Sequence, residues 1–95
     1  MRVKLTRQAQ RDFLDQIDWL KRRSPAAGRS ATLAIIEALD VLRAFPEAGP
    51  AVEGERREQY VRFGLYGYVI EYERLEAIVY VTRIYHGAQD RARHE

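Results

Sequence analysis

Side chains that could do chemistry cluster near the carboxyl end of the chain, directly after its most apolar segment. Residues 77–85 are almost all β-branched, aromatic or alanine, a composition that predicts a strand buried on both faces. Polar side chains follow as this strand ends: Arg83, His86, Gln89, Asp90 and Arg91. His86 could act as a general acid or base, since an unperturbed imidazole has a pKa of about 6.5. We favour the alternative, a turn residue whose imidazole hydrogen-bonds the backbone.

Arginine dominates the basic residues: of 16 Lys and Arg, only Lys4 and Lys21 are lysine. Guanidinium groups bind carboxylates and phosphates through paired hydrogen bonds and stack on aromatic rings, which would suit nucleic acid or an acidic partner. A genome that prefers arginine codons would give the same composition, with most of these side chains on solvated faces. We favour this second interpretation for any single arginine.

Several classes of site are excluded or disfavoured. The chain has no cysteine, which excludes disulfides and cysteine–zinc sites. His86 and His94 do not have a metal-ligand spacing, so we expect no metal and no cofactor. No Ser-His-Asp order, glycine-rich phosphate loop or paired catalytic carboxylates stands out, and Asp12, Asp15 and Asp18 are interpreted as solvated residues on the outer side of a helix.

The location of the protein is expected to be the cytoplasm. The amino terminus lacks the apolar core of a signal peptide. No apolar run approaches the roughly 20 residues that span a bilayer, so we expect no membrane association.

Helix signals divide the first half of the chain into two helices. Thr6 is a suitable N-cap, and Ser24-Pro25 supplies an N-cap followed by proline at the first helical position. The second helix should end at Phe45-Pro46, because proline disfavours helix at the residue before it. In the first helix, apolar residues recur at helical spacing: Ala9, Phe13, Ile17 and Leu20. The short connection predicts an antiparallel helical hairpin.

Alternating residues predict strands around this hairpin. Val3 and Leu5 alternate with basic residues in a short strand that we place at a sheet edge. Three later strands with tight connections predict an antiparallel meander, which completes one twisted sheet with the helical hairpin on one face. The prediction is therefore one α+β domain over 1–95, with these parts: strand 1–6, helical hairpin 7–45, loop 46–56, antiparallel strands 57–86 and C-terminal tail 87–95.

Four features of the chain together resemble one family. They are Thr6 opening a helix, the FPEAG loop at 45–49, the YVIEY strand at 68–72, and RIYHGAQD at 83–90. In this order the chain resembles the ParE/RelE toxin superfamily of bacterial type II toxin–antitoxin systems. The resemblance implies a small twisted antiparallel sheet with a helical hairpin, as the residue patterns also predict.

The resemblance implies one of two activities. RelE-like members cut mRNA in the ribosome with basic residues and a late tyrosine, whereas ParE-like members poison DNA gyrase and are not nucleases. Val69 and Gln89 stand where RelE-like toxins usually carry arginine, and no tyrosine follows Asp90. A nuclease needs cations to stabilise its charged transition state, so these differences favour the ParE branch, with growth arrest by binding and a role in plasmid stabilisation. A RelE-like ribonuclease and a non-toxic binding module of the same fold remain alternatives.

The resemblance also implies partners. It implies a hetero-oligomer with a cognate ParD-like antitoxin, with DNA gyrase as the target and no direct sequence-specific DNA binding. Exposed apolar side chains on the helices are the antitoxin-binding candidates: Trp19, Leu33 and Ile36. Trp19 could equally cap the edge of the core. The target-binding candidates are Arg57, Arg62, Arg83, His86, Gln89, Asp90, Arg91 and Arg93.

Overall fold

The computed structural model describes residues 1–88, which form two helices and one five-stranded sheet. In chain order the elements are β1 (Arg2–Leu5), α1 (Arg7–Arg23), α2 (Pro25–Ala44), β2 (Ala51–Glu53), β3 (Arg56–Val61), β4 (Tyr68–Leu75) and β5 (Ile78–His86). The sheet order is β1-β5-β4-β3-β2. β1 pairs with β5 in parallel, and all other neighbours are antiparallel. The predicted α+β class is confirmed, with β3, β4 and β5 as the meander and β1 at an edge.

The predicted loop over 46–56 is wrong in part, because it contains the short strand β2. This strand pairs with β3 and adds a fifth strand at the edge opposite β1. All three of its residues are exposed, so it carries no apolar alternation from which a strand could be predicted. β3 also begins at Arg56, one residue before the predicted start.

The interpretation of the last strand as buried on both faces is also wrong. Val79 and Val81 are 0% exposed and Ile84 is 1% exposed, whereas the residues between them are half-buried. The core cluster therefore takes in Val79, Val81 and Ile84, and the remaining residues of β5 stay half-buried. The strand begins at Ile78, and Ala77 lies in the preceding turn.

Both helices begin where their caps predict. The Thr6 hydroxyl oxygen accepts a hydrogen bond from the Ala9 N–H at 3.2 Å, and Ser24 Oγ accepts one from the Ala27 N–H at the same distance. Ser24 ends α1 and caps α2, so a single residue separates the helices and forces them into an antiparallel hairpin. Their apolar stripes pack on the sheet around Ile35, which is 0% exposed.

The helix α1 also completes the sheet. After Val81 the pairing of β5 with β1 ends, and no strand within residues 1–88 continues along that edge of β5, whose other edge stays paired with β4. Asp12 Oδ2 then accepts a hydrogen bond from the Ile84 N–H at 2.9 Å, and Gln16 Nε2 donates to the Ile84 carbonyl at 2.6 Å. The interpretation of Asp12 as a solvated residue is therefore wrong: its side chain is 10% exposed, because the free edge of β5 needs a hydrogen-bonding partner.

Candidate functional site

Arg83, a predicted target contact, is held by helix α1. Its Nε lies 2.8 Å from Asp12 Oδ2, and its Nη2 donates to Asp12 Oδ1 at 3.4 Å. The hydrogen bond to Asp12 raises the pKa of Arg83 above its usual value. Burial works against ionisation of Asp12, but hydrogen bonds from Arg83, Ile84 and Gln8 outweigh it and lower the pKa of that carboxyl. The pair fastens α1 to β5, while 42% of the Arg83 side chain still faces solvent.

Arg57, a second predicted contact, fastens the loop between α2 and β2. Its Nη1 donates to the Gly49 carbonyl at 2.7 Å. Tyr72, opposite Arg57 on β4, donates its hydroxyl to the Pro46 carbonyl at 2.8 Å and accepts from the Gly49 N–H at 2.9 Å. The FPEAG segment is therefore held by one guanidinium and one buried phenol.

Arg62 differs from these two candidates. It follows the last residue of β3 and is exposed. No hydrogen bond or ion pair joins it to any residue of the described part of the chain. Its guanidinium is therefore available to a partner.

His86 is the last residue of β5, not the turn residue of the favoured interpretation, but its imidazole is hydrogen-bonded to the backbone as that interpretation predicts. Its Nδ1 accepts a hydrogen bond from the Ala88 N–H at 3.2 Å. The next residue must be glycine, because a Cβ on Gly87 would lie 1.9 Å from the Tyr66 carbonyl oxygen. The Gly87 N–H also donates to the Gly67 carbonyl at 2.8 Å. The His-Gly pair thus joins the end of β5 to the loop between β3 and β4.

A cavity of about 510 Å³ opens beside this junction, between α1, the β3–β4 loop and the end of β5. Five of its lining residues carry rings: Trp19, Phe63, Tyr66, Tyr68 and His86. Phe63 and Tyr68 stack with centroids 5.9 Å apart, and His86 meets the Tyr66 and Tyr68 rings edge-on at 5.8 Å each. Burial raises the pKa of the Tyr68 hydroxyl above its usual value.

Sequence reasoning missed this cavity, although two of its lining residues, Trp19 and His86, were named as binding candidates. The only local signal is the segment at 62–68, RFGLYGY, where aromatic residues alternate with glycines. Positive φ angles at Gly64 and Gly67 fold this segment back toward α1. Nothing in the sequence places it against Trp19, which lies more than forty positions earlier.

The antitoxin-binding candidates are exposed, as predicted, but do not share one cavity. Trp19 is 54% exposed, lines the cavity and carries the Arg23 guanidinium 3.6 Å from its ring centroid. Leu33 and Ile36 are 60% and 44% exposed, three positions apart on α2, and do not line it.

Three further findings concern the part of the chain that the structure describes. The predicted contacts Gln89, Asp90, Arg91 and Arg93 lie outside the described residues. Within residues 1–88, no group of three or more His, Asp or Glu side chains could hold a metal ion. Over the same range, no helix is long and apolar enough to cross a membrane.

The sequence of the chain is similar to known proteins over most of its length. A family model described as the ParE toxin of the type II toxin–antitoxin system parDE matches residues 3–91. Toxin RelE1 of Caulobacter vibrioides is 41% identical over 83 residues, covering 87% of this chain and 89% of the relative. Toxin RelE3 of the same organism is 33% identical over 89 residues, covering 94% and 97%.

A solved structure shares the fold. It is described as the chromosomal ParDE toxin–antitoxin system from P. aeruginosa, and it aligns with a TM-score of 0.73 at 19% identity. The alignment covers 90% of this chain and 95% of that chain. At this level of identity, the likeness extends to the fold alone.

Proposed function

The chain belongs to the ParE toxin family of type II toxin–antitoxin systems, and we propose that it arrests growth by binding DNA gyrase without cleaving RNA. A cognate antitoxin would neutralise it by forming a hetero-oligomer. Its target and its partner would place it in the cytoplasm.

The observation that carries the proposal concerns the arginine candidates within residues 1–88: two of the three are already bonded within the fold. A ribonuclease must stabilise the negative charge that develops on the phosphate, which takes cations whose N–H groups can still reach it. Arg57 is bonded to Gly49 and Arg83 to Asp12. Among the three arginine candidates in residues 1–88, only Arg62 has no such contact.

Val69 supports the same interpretation. It occupies the β4 position at which the nuclease branch is expected to carry arginine, and it is 6% exposed. It lies between Tyr60 on β3 and Tyr85 on β5 in the paired sheet. An apolar residue packed between two aromatic neighbours stabilises the sheet and contributes nothing to phosphate chemistry.

Arg62 stands at the start of a loop with the composition of a binding surface. Leu65 is 85% exposed and Tyr66 is 39% exposed in the same loop. Arginine and tyrosine are the residue types that most often dominate binding energy at protein interfaces. We therefore place the gyrase-facing surface on this loop and on the solvent-facing part of Arg83.

A supercoiling assay with purified gyrase tests this proposal. The wild-type chain should inhibit supercoiling, and Arg62→Ala should raise the concentration needed for half-inhibition about tenfold. Arg29→Ala is the matched control, because Arg29 is an exposed arginine on α2 with no bonded partner among residues 1–88. Equal inhibition by both variants would remove Arg62 from the target surface, and no inhibition by the wild type would contradict gyrase binding itself.

The runner-up is a RelE-like ribosome-dependent ribonuclease. The names of the two similar Caulobacter toxins favour it, since both are toxins named RelE. It predicts that brief induction of the chain stops translation at once, whereas a gyrase poison first triggers DNA-damage signalling. A module with the same fold and no toxicity predicts neither response.

A further inference from the structure

The cavity beside Trp19 has walls that attract a cation. Phe63 and Tyr68 stack into one continuous aromatic wall, with 28° between their ring planes. Trp19 already carries one guanidinium, that of Arg23, at 3.6 Å from its ring centroid. Aromatic rings attract cations through the negative potential of their faces, most strongly where the site is shielded from water.

One wall of the same cavity carries a free carboxylate. Asp15 lines the cavity and forms no hydrogen bond or ion pair within residues 1–88. Asp18, the next acidic residue on α1, is instead paired with Arg22 at 3.3 Å. A carboxylate beside aromatic rings has the charge complementary to an organic cation.

A guanidinium group fits the walls of this cavity better than an aliphatic side chain does. Its planar group stacks on rings and forms paired hydrogen bonds to a carboxylate, while its apolar stem packs along the apolar part of the cavity. An aliphatic occupant would strip water from Asp15 and offer no hydrogen bond in return. We propose that this cavity is an arginine-recognition site that receives an arginine side chain of the cognate antitoxin.

The cavity overlaps the loop proposed to contact gyrase, so an antitoxin arginine bound in the cavity would also cover that loop. Leu65 and Tyr66 line the cavity and also belong to the loop on which we place the gyrase contacts. An antitoxin segment with its arginine in the cavity covers that loop and blocks the target. The inference rests on the antitoxin partnership proposed above.

The first test uses Trp19 as its reporter, because it is the sole tryptophan of the chain and it lines the cavity. Titration of the full chain with arginine amide should change the Trp19 fluorescence saturably, and norleucine amide, an apolar match, should not. Asp15→Asn should weaken the arginine response about tenfold, the loss expected for a charge-assisted hydrogen bond. Asp18→Asn is the control and should leave the response unchanged. Equal responses to the two amides, or equal effects of the two variants, would overturn the proposal.

The second test uses the complex of the full chain with its cognate antitoxin. Asp15→Asn should raise the Kd of the complex about tenfold, and Asp15→Lys should raise it further, because a lysine repels the incoming guanidinium. If Leu65→Ser weakens the complex and Asp15→Asn does not, the occupant is apolar and the arginine site is refuted. If the wild-type chain forms no complex with this antitoxin, the proposed partnership fails, and the cavity as its docking site fails with it. The amide titration reports on the chemistry of the cavity independently of that result.

Discussion

The bond between Asp12 and Arg83 should be a principal support of the fold, and Asp12→Ala tests it. The substitution leaves the Ile84 N–H, now at 2.9 Å from Asp12, without an acceptor, which costs about 1–3 kcal/mol for a buried amide. It also removes the charge-assisted bonds from Arg83, which contribute about 1.5–3 kcal/mol where the pair is buried. Arg83 is 42% exposed, so water replaces part of that second contribution. We expect a total loss of about 3 kcal/mol in the free energy of unfolding.

Urea unfolding followed by circular dichroism measures this loss. In thermal unfolding, the same change of about 3 kcal/mol should lower the Tm by roughly 12–24 °C, because the Tm of a domain of this size shifts by about 4–8 °C per kcal/mol. Asp15→Ala is the control on the same helix and should change the free energy of unfolding by less than about 0.5 kcal/mol, because Asp15 is exposed and unbonded within residues 1–88. Equal, small losses in the two variants would refute the idea that α1 completes the free edge of β5.

Three further predictions concern the same framework. Because the pKa of Asp12 is lowered by folding, its stabilising effect is complete above the unfolded pKa of about 3.9 and lost as the pH falls through the folded value. The acid-unfolding curve of Asp12→Asn should therefore be flatter than that of the wild type below about pH 4, and parallel curves would contradict this. Tyr72→Phe leaves the Gly49 N–H and the Pro46 carbonyl without their hydroxyl partner, and it should lower the free energy of unfolding in urea by about 2–4 kcal/mol. A loss under about 1 kcal/mol would show that water replaces the hydroxyl. Gly87→Ala places a Cβ against the Tyr66 carbonyl and should lower the free energy of unfolding by about 3 kcal/mol or more. At the control position Gly64 an added Cβ meets no atom within 4 Å, so Gly64→Ala should lower it only by the strain of the positive φ, about 1–2 kcal/mol. Equal losses in the two variants would disprove the close approach at Gly87.

The helices were predictable from the sequence because their signals are local. Thr6 and Ser24 cap within three residues of themselves, and the periodic apolar stripe of α1 needs only the helix repeat. The strands of the meander were predictable for the same reason, since alternation is a property of neighbouring residues. The strand β2 was not, because its three exposed residues are fixed by pairing with β3.

The candidate site was less predictable because its contacts join distant parts of the chain. Asp12 lies beside the apolar stripe of α1, so the sequence predicts a solvated side chain. Only the structure shows that β5 continues past the end of β1 and that its Ile84 N–H bonds Asp12. Arg57 and Arg83 could be named as cations, but whether a cation is free depends on its partner in space. Only the fold shows that both are bonded and that Arg62 is not.

Whether this toxin acts by binding gyrase or by cleaving mRNA is decided by one side-by-side measurement. A single preparation of the chain is added to a gyrase supercoiling reaction and, at equal concentration, to a translating ribosome extract with a labelled mRNA. For a toxin that binds gyrase, we expect inhibited supercoiling and intact mRNA. Cleaved mRNA with unaffected supercoiling would contradict this expectation and assign the protein to the ribonuclease branch.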